Sequence, residues 1–301
     1  MLSSLYVLFI AVYLFQILAL PADKATLKKY HLGTTQVRVL ALTVAIPYII
    51  IWLVALVGYL RLKAYTGLIK KDKDGAAFQK ISQGIFWLTL WLPLSTIIAN
   101  FFSQFYGSHH GVTANLIRLN NYLFLILLFV GFLLVNRGTN KLLVLVKKPA
   151  WLAKQSVVIV YIIFAALYIL LTLHDSARAL PTKTVAVASY YEPDWLIVVS
   201  LVIPRLIYWF LGVQAVQNIY TYRQKVRGKL YKQALNYLTI GLAGVLVMTI
   251  SLRCLQSLAA PLAQLSLGLL LGLVYALLIL IAISYVFIAK GAKQLQQLEE
   301  V

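Results

Sequence analysis

Eight apolar runs dominate the chain, at about 4–20, 38–60, 81–104, 117–135, 155–173, 194–214, 234–255 and 264–289. A helix of roughly twenty apolar residues crosses the ~30 Å hydrocarbon core of a bilayer, and these runs lack the strict alternation of barrel strands. In hydrocarbon every backbone N–H and C=O must be paired within the segment, which leaves the helix as the fitting form. The runs therefore predict an all-α polytopic membrane protein with eight transmembrane helices. Composition agrees, with 62% hydrophobic and 12% charged residues, where a soluble domain carries about a quarter charged.

The first run also has the position of a signal peptide. It lacks a preceding basic residue, and Leu20-Pro21-Ala22 lacks the small residue of a cleavage site, so it is read as a retained helix. The formal charge of +19 lies mostly in alternate connections. Segments 61–80, 136–154 and 215–233 hold six, five and five Lys and Arg, while 21–37, 105–116, 174–193 and 256–263 hold three, none, two and none. The positive-inside rule puts the first set and both termini in the cytoplasm. The expected location is the plasma membrane, with the basic loops against anionic lipid headgroups and no nucleic acid as partner.

The two halves echo each other at an offset near 155. Tyr6, Phe9, Ala11 and Tyr13 match Tyr161, Phe164, Ala166 and Tyr168. Pro47, Trp52, Tyr65 and Gly84 match Pro204, Trp209, Tyr222 and Gly241, and Tyr122 and Arg137-Gly138 match Tyr275 and Lys290-Gly291. This predicts a tandem parallel 4+4 internal repeat: residues 1–140, a connector 141–154 read as a short interfacial segment with Trp151 at headgroup depth, and residues 155–301. An even number of spans per half gives both copies one orientation, as in parallel-repeat transporters.

Arg205 is the charge that topology does not explain. It follows Asp194 by eleven residues, which at about 1.5 Å per residue puts it near the midplane. A charge at that depth faces a bundle interior or a wet cavity and marks a functional site by default. Tyr208 and Trp209 share its helical face, Tyr48 holds the matching position in the first half, and Pro47 and Pro204 are paired hinge candidates. Arg38, Arg118 and Arg253 stand at the external ends of other spans and would line a basic vestibule for an anion. The bland alternative is an arginine satisfied by carbonyls and tyrosine hydroxyls. Gln16, Gln83, Asn100, Gln214, Gln217 and Asn218 read as helix-to-helix hydrogen-bonding groups. The loop 174–193, with Asp175 and Glu192 and with Asp194 just past it, would cap the external mouth.

No acid lies inside a span, the four histidines sit at external ends, and Cys254 has no partner cysteine. A carboxylate relay, a haem site and a metal centre are therefore not expected, no cofactor is implied, and the catalytic inventory is thin. The reading that follows is a transporter or lipid-handling protein with an externally accessible cavity binding an anionic group at Arg205. The alternative is a non-transporting sensor, scaffold or assembly subunit that uses its basic loop 215–233. The orientation is testable by fusion: alkaline phosphatase joined after residue 110 is expected to be active, and a fluorescent protein at the C-terminus is expected to fluoresce. The opposite pattern would reverse the assignment.

Overall fold

The computed structural model describes residues 2–19, 34–69, 74–105, 110–146, 155–173, 183–185, 188–190, 195–265 and 267–299. These form eight helical rods. They are α1 (Leu2–Ala19), α2 (Thr34–Leu68), α3 (Gly75–Phe105), a fourth rod made of α4 (His110–Leu123), a π-helical turn (Phe124–Leu128) and α5 (Phe129–Leu145), then α6 (Gln155–Leu173), α7 (Trp195–Lys225), α8 (Lys229–Leu265) and α9 (Leu267–Glu299). Seven rods are long and apolar enough to cross a membrane, and α1 is an apolar helix of shorter described length. Between α6 and α7 a small antiparallel pair, β1 (Lys183–Val185) and β2 (Ala188–Tyr190), sets Thr184 opposite Ser189. The rest of loop 174–193, residues 147–154 with Trp151, and the side chains of Arg38, Asn100, Arg253 and Cys254 lie outside the described residues.

The helices outrun the apolar segments. The connection 61–80 is mostly helix, since α2 runs on through Arg61 and Lys63 to Leu68 and α3 begins at Gly75, ahead of Lys80. The connector shortens likewise: residues 141–145 complete α5, with Leu142 and Leu143 buried, where an interfacial segment was expected. The reason is physical. Hydropathy marks where hydrocarbon ends, but a helix ends only where a residue breaks it, and Lys and Arg are good helix formers. The turn between α7 and α8 has such a residue in Gly228, at φ 95°. Pro47, Pro93 and Pro204 lie inside helices that continue past them, as membrane helices tolerate.

The chain divides into two compact units, each drawn from both halves of the sequence. Unit 1 comprises residues 1–43, 90–129 and 153–208, and unit 2 comprises 44–89, 130–152 and 209–301. On two helices of unit 1 the outward face is aliphatic and polar groups turn inward. On α6, Tyr161, Tyr168 and Thr172 are buried while Ile159, Ile162, Ile163 and Leu170 are exposed. The same arrangement holds on α1, where Tyr6, Tyr13 and Gln16 are buried and Val7, Leu8 and Phe15 are exposed. Such surfaces suit a bilayer, whose interior solvates aliphatic side chains and leaves the polar ones to each other.

Unit 2 contains two helix crossings made by the same steps. A Cβ placed on Gly84 of α3 would lie 2.6 Å from the Gly131 carbonyl and 2.6 Å from Val135 Cγ2 on α5. One placed on Gly241 of α8 would lie 2.7 Å from the Ser284 carbonyl and 2.6 Å from Ile288 Cγ1 on α9. The reciprocal contacts also agree: Gly138 sits against Ala77 and Ile81, and Gly291 against Ala234 and Leu238. Residues of the first helix in each pair are offset by 157 and those of the second by 153. At these distances a methyl group has no room, so the helices meet backbone to backbone. Gly84→Ala, Gly138→Ala, Gly241→Ala and Gly291→Ala are each expected to destabilise the folded protein in detergent by about 1–3 kcal/mol. Gly67→Ala, with nothing within 4 Å of the added carbon, is expected to be neutral or up to about 1 kcal/mol stabilising. Thermal unfolding of the five variants checks both, and equal effects at all five positions would refute the close approach.

Candidate functional site

In unit 1, α4 and the π-helical turn face α6 through a ladder of polar contacts. At one end Arg118 Nη1 donates to the carbonyls of Thr172 (2.9 Å) and Leu173 (2.8 Å), and its Nη2 donates to Asn115 Oδ1 at 2.8 Å. These carbonyls belong to the last turn of α6, which has no intrahelical donors for them. One helical turn on, Asn121 Nδ2 donates to the Tyr168 hydroxyl at 2.8 Å, and the Tyr122 and Thr172 hydroxyls lie 2.8 Å apart. The ladder closes where the Tyr161 hydroxyl donates to the carbonyl of Leu125 inside the π-helical turn. Tyr161 is also stacked on Phe129, with centroids 3.5 Å apart. The wider turn of a π-helix lets neighbouring groups reach its carbonyls.

Arg205 joins this ladder from α7. Its Nη2 donates to Asn121 Oδ1 at 3.2 Å, so Asn121 is held between Arg205 and Tyr168. Among the described residues this is the guanidinium's one hydrogen bond, and its Nε is enclosed without an acceptor. Asn120 Oδ1 is likewise enclosed and unbonded among the described residues. Pro204 next to Arg205 is buried, as is Tyr208 one turn further along. A guanidinium has five N–H donors in a planar fork that suits a carboxylate or phosphate. Arg205 is therefore a half-buried cation with donors to spare.

The residues singled out in the sequence fall in different places. Arg205, Tyr208 and Arg118 are in unit 1, whereas Tyr48 and Trp209 belong to unit 2. Arg118 was expected to face a vestibule, yet its donors go to the end of α6 and to Asn115. Gln16 is buried and donates to the Ile97 carbonyl at 3.4 Å, while Gln83 and Gln217 are exposed.

A second polar cluster, in unit 2, was not foreseen as a cluster. Asn218 Nδ2 donates to Asn140 Oδ1 (2.9 Å) and Thr139 Oγ1 (3.2 Å), and Asn140 Nδ2 donates to Asn136 Oδ1 at 2.8 Å. Asn136 Nδ2 in turn donates to Gln214 Oε1 and to the Leu211 carbonyl, each at 3.2 Å. All five side chains are buried, and they tie α5 to α7. Gln214 and Asn218 were visible as polar residues in or near a span. Asn136, Thr139 and Asn140 were missed because the apolar run stops at 135, although their spacing of three and four residues puts them on one helical face. At the loop end of unit 2, Asp74 Oδ2 accepts from the Tyr222 hydroxyl at 3.0 Å and the Tyr231 hydroxyl at 3.1 Å. Its own carbonyl accepts from the Ala77 and Phe78 amides and so starts α3.

Compared with protein families, with characterised proteins and with solved structures, the chain is similar to none of them. The geometry itself carries the functional argument.

The amide chain makes a prediction of its own. Asn136→Ala strands Asn140 Nδ2 and Gln214 Oε1 in a buried site and is expected to cost about 1–3 kcal/mol. In a double-mutant cycle the Asn140–Asn218 pair is expected to couple by about 0.6 kcal/mol and at most ~1.7. Stability of Asn136→Ala equal to that of the unaltered protein in reversible unfolding would show that the cluster contributes nothing.

Proposed function

We propose that this integral membrane protein is a transporter or lipid-handling protein whose Arg205 binds an anionic group, a carboxylate or a phosphate, within the membrane. One observation carries the reading: a guanidinium on a membrane-spanning helix has one acceptor among the described residues, Asn121, and an enclosed Nε with none. A half-buried cation with unspent donors favours an anion that reaches it, because away from bulk water a bidentate pair of this kind is strong. Tyr208 and the ladder behind Asn121 hold the site, and Pro204 lies beside it. Pro47 and Pro204 are the proposed hinges, with Tyr48, Trp209 and Arg253 as further ligand-side residues.

The same reading takes the chain as a duplicated four-plus-four membrane unit, 1–140 and 155–301 joined by 141–154, with both termini in the cytoplasm of a plasma-membrane protein. The alternation of basic and cation-poor connections and the matching crossings of α3 with α5 and α8 with α9 support it. The basic connections then face anionic lipid.

A second reading, a non-transporting sensor, scaffold or assembly subunit, draws on the way Arg118, Asn121, Tyr122, Tyr161 and Thr172 are spent on other groups of unit 1. Packing of that kind suits a structural arginine. The experiment that separates the two places Arg205→Cys in a Cys254→Ser background and applies a charged thiol reagent from outside intact cells. Rapid labelling, slowed by anionic solutes, is expected, together with a loss of anion binding of at least about tenfold in Arg205→Ala and Arg205→Lys. A folded protein that resists the reagent would exchange the first reading for the second.

A further inference from the structure

The two matching crossings of unit 2 differ in what stands on their surface. On the α8–α9 crossing, Lys290 lies with its Nζ 4.5 Å from the centroid of the Tyr237 ring, and Tyr237 is backed by Phe287 at 5.7 Å. The cation there is satisfied by an aromatic face. The same offsets that relate the glycine contacts, 157 for the first helix and 153 for the second, carry Tyr237 to Lys80 and Lys290 to Arg137. Exposure agrees position by position, with Lys80 and Tyr237 partly exposed and Arg137 and Lys290 exposed. The α3–α5 crossing therefore sets two cations where the other sets a cation on a ring. Lys141, exposed one turn beyond Arg137, adds a third charge where α9 has Gln294.

Two like charges held together by backbone packing favour an anion, and the described residues supply none there. Asp74 carries the only carboxylate among the side chains described, and it accepts from Tyr222 and Tyr231. Lys80 directly precedes the apolar run 81–104, and Arg137 closely follows the run 117–135. Both thus stand at the hydrocarbon edge, where lipid phosphates lie and where each basic residue adds attraction for an anionic headgroup.

We infer that Lys80, Arg137 and Lys141 form a binding site for the phosphate of one anionic phospholipid at the ends of α3 and α5, and that Tyr237 closes the matching position on α8 and α9. The site lies in unit 2 and does not rest on the reading of Arg205, which lies in unit 1.

The test titrates the full chain in non-ionic detergent with dioctanoyl phosphatidylglycerol and, separately, dioctanoyl phosphatidylcholine, and counts bound lipid by native mass spectrometry. One tightly held phosphatidylglycerol is expected, with no such retention of phosphatidylcholine. Lys80→Gln with Arg137→Gln is expected to weaken it about 30-fold, since two interfacial charges are lost. Lys290→Gln, which removes a charge already on a ring, is expected to leave it within about twofold. Lys80→Tyr is expected to abolish the tight lipid, and Tyr237→Lys to add a second. These two variants exchange residues that equivalent crossings already accommodate, so they carry the test if the double glutamine variant does not fold. Unchanged binding in Lys80→Tyr, an equal loss in Lys290→Gln, or displacement of the lipid by millimolar inorganic phosphate would overturn the assignment.

Discussion

Hydrocarbon offers no hydrogen bonds and no hydrophobic reward for burying one aliphatic chain against another, and that constraint accounts for how the described apolar helices meet. Helices held together under it need either very close packing or polar groups that find each other. The α3–α5 and α8–α9 crossings take the first course, with glycines that admit a neighbouring backbone. The α4–α6 ladder and the amide chain between α5 and α7 take the second. The aliphatic side chains that would form the core of a soluble bundle are turned outward on α1 and α6.

Positions in unit 2 that are related by sequence offset are held in different ways. Asn136 and Ala215 on α5 and α7 correspond to Ala289 and Gly58 on α9 and α2 by the offsets that relate the crossings. Between the first pair of helices, Asn136, Asn140, Gln214 and Asn218 supply amide hydrogen bonds. At the second, a Cβ on Gly58 would meet the Ala289 backbone at 3.4 Å, an ordinary van der Waals distance. Interhelical hydrogen bonds in membranes are worth only about 0.6 kcal/mol on average, so neither solution is plainly the stronger. The amide version is directional, however, and sets the register of one helix against the other.

Much of this was legible in the chain. Long apolar runs could only be helices, and Gly84 with Gly241 and Gly138 with Gly291 marked matching sites before their packing was known. Arg205 stood out because a charge in such a run has no ordinary explanation. Helix ends were not legible, since Arg61, Lys63 and Lys80 leave hydrocarbon without leaving the helix. That error hid Asn136 and Asn140, which a hydropathy boundary assigned to a connector. Arg118 and Asp74 were opaque for another reason. Their partners lie 54 and 55 residues away for Arg118, and 148 and 157 for Asp74, and no local pattern reports contacts that distant.

The π-helical turn at Phe124–Leu128 interrupts the fourth rod, whereas α9 is α-helical throughout its described length. Such a turn is one residue wider than its neighbours, and at 3.6 residues per turn one added residue rotates everything before it by about 100°. Under the proposed duplication, α4 is thereby put out of phase with its counterpart while α5 stays in phase. The side chains so displaced are Arg118, Asn121 and Tyr122, which meet α6 and Arg205. A single wider turn is then enough to change which face of a rod carries Arg118, Asn121 and Tyr122 while the α3–α5 crossing beyond it stays as it is.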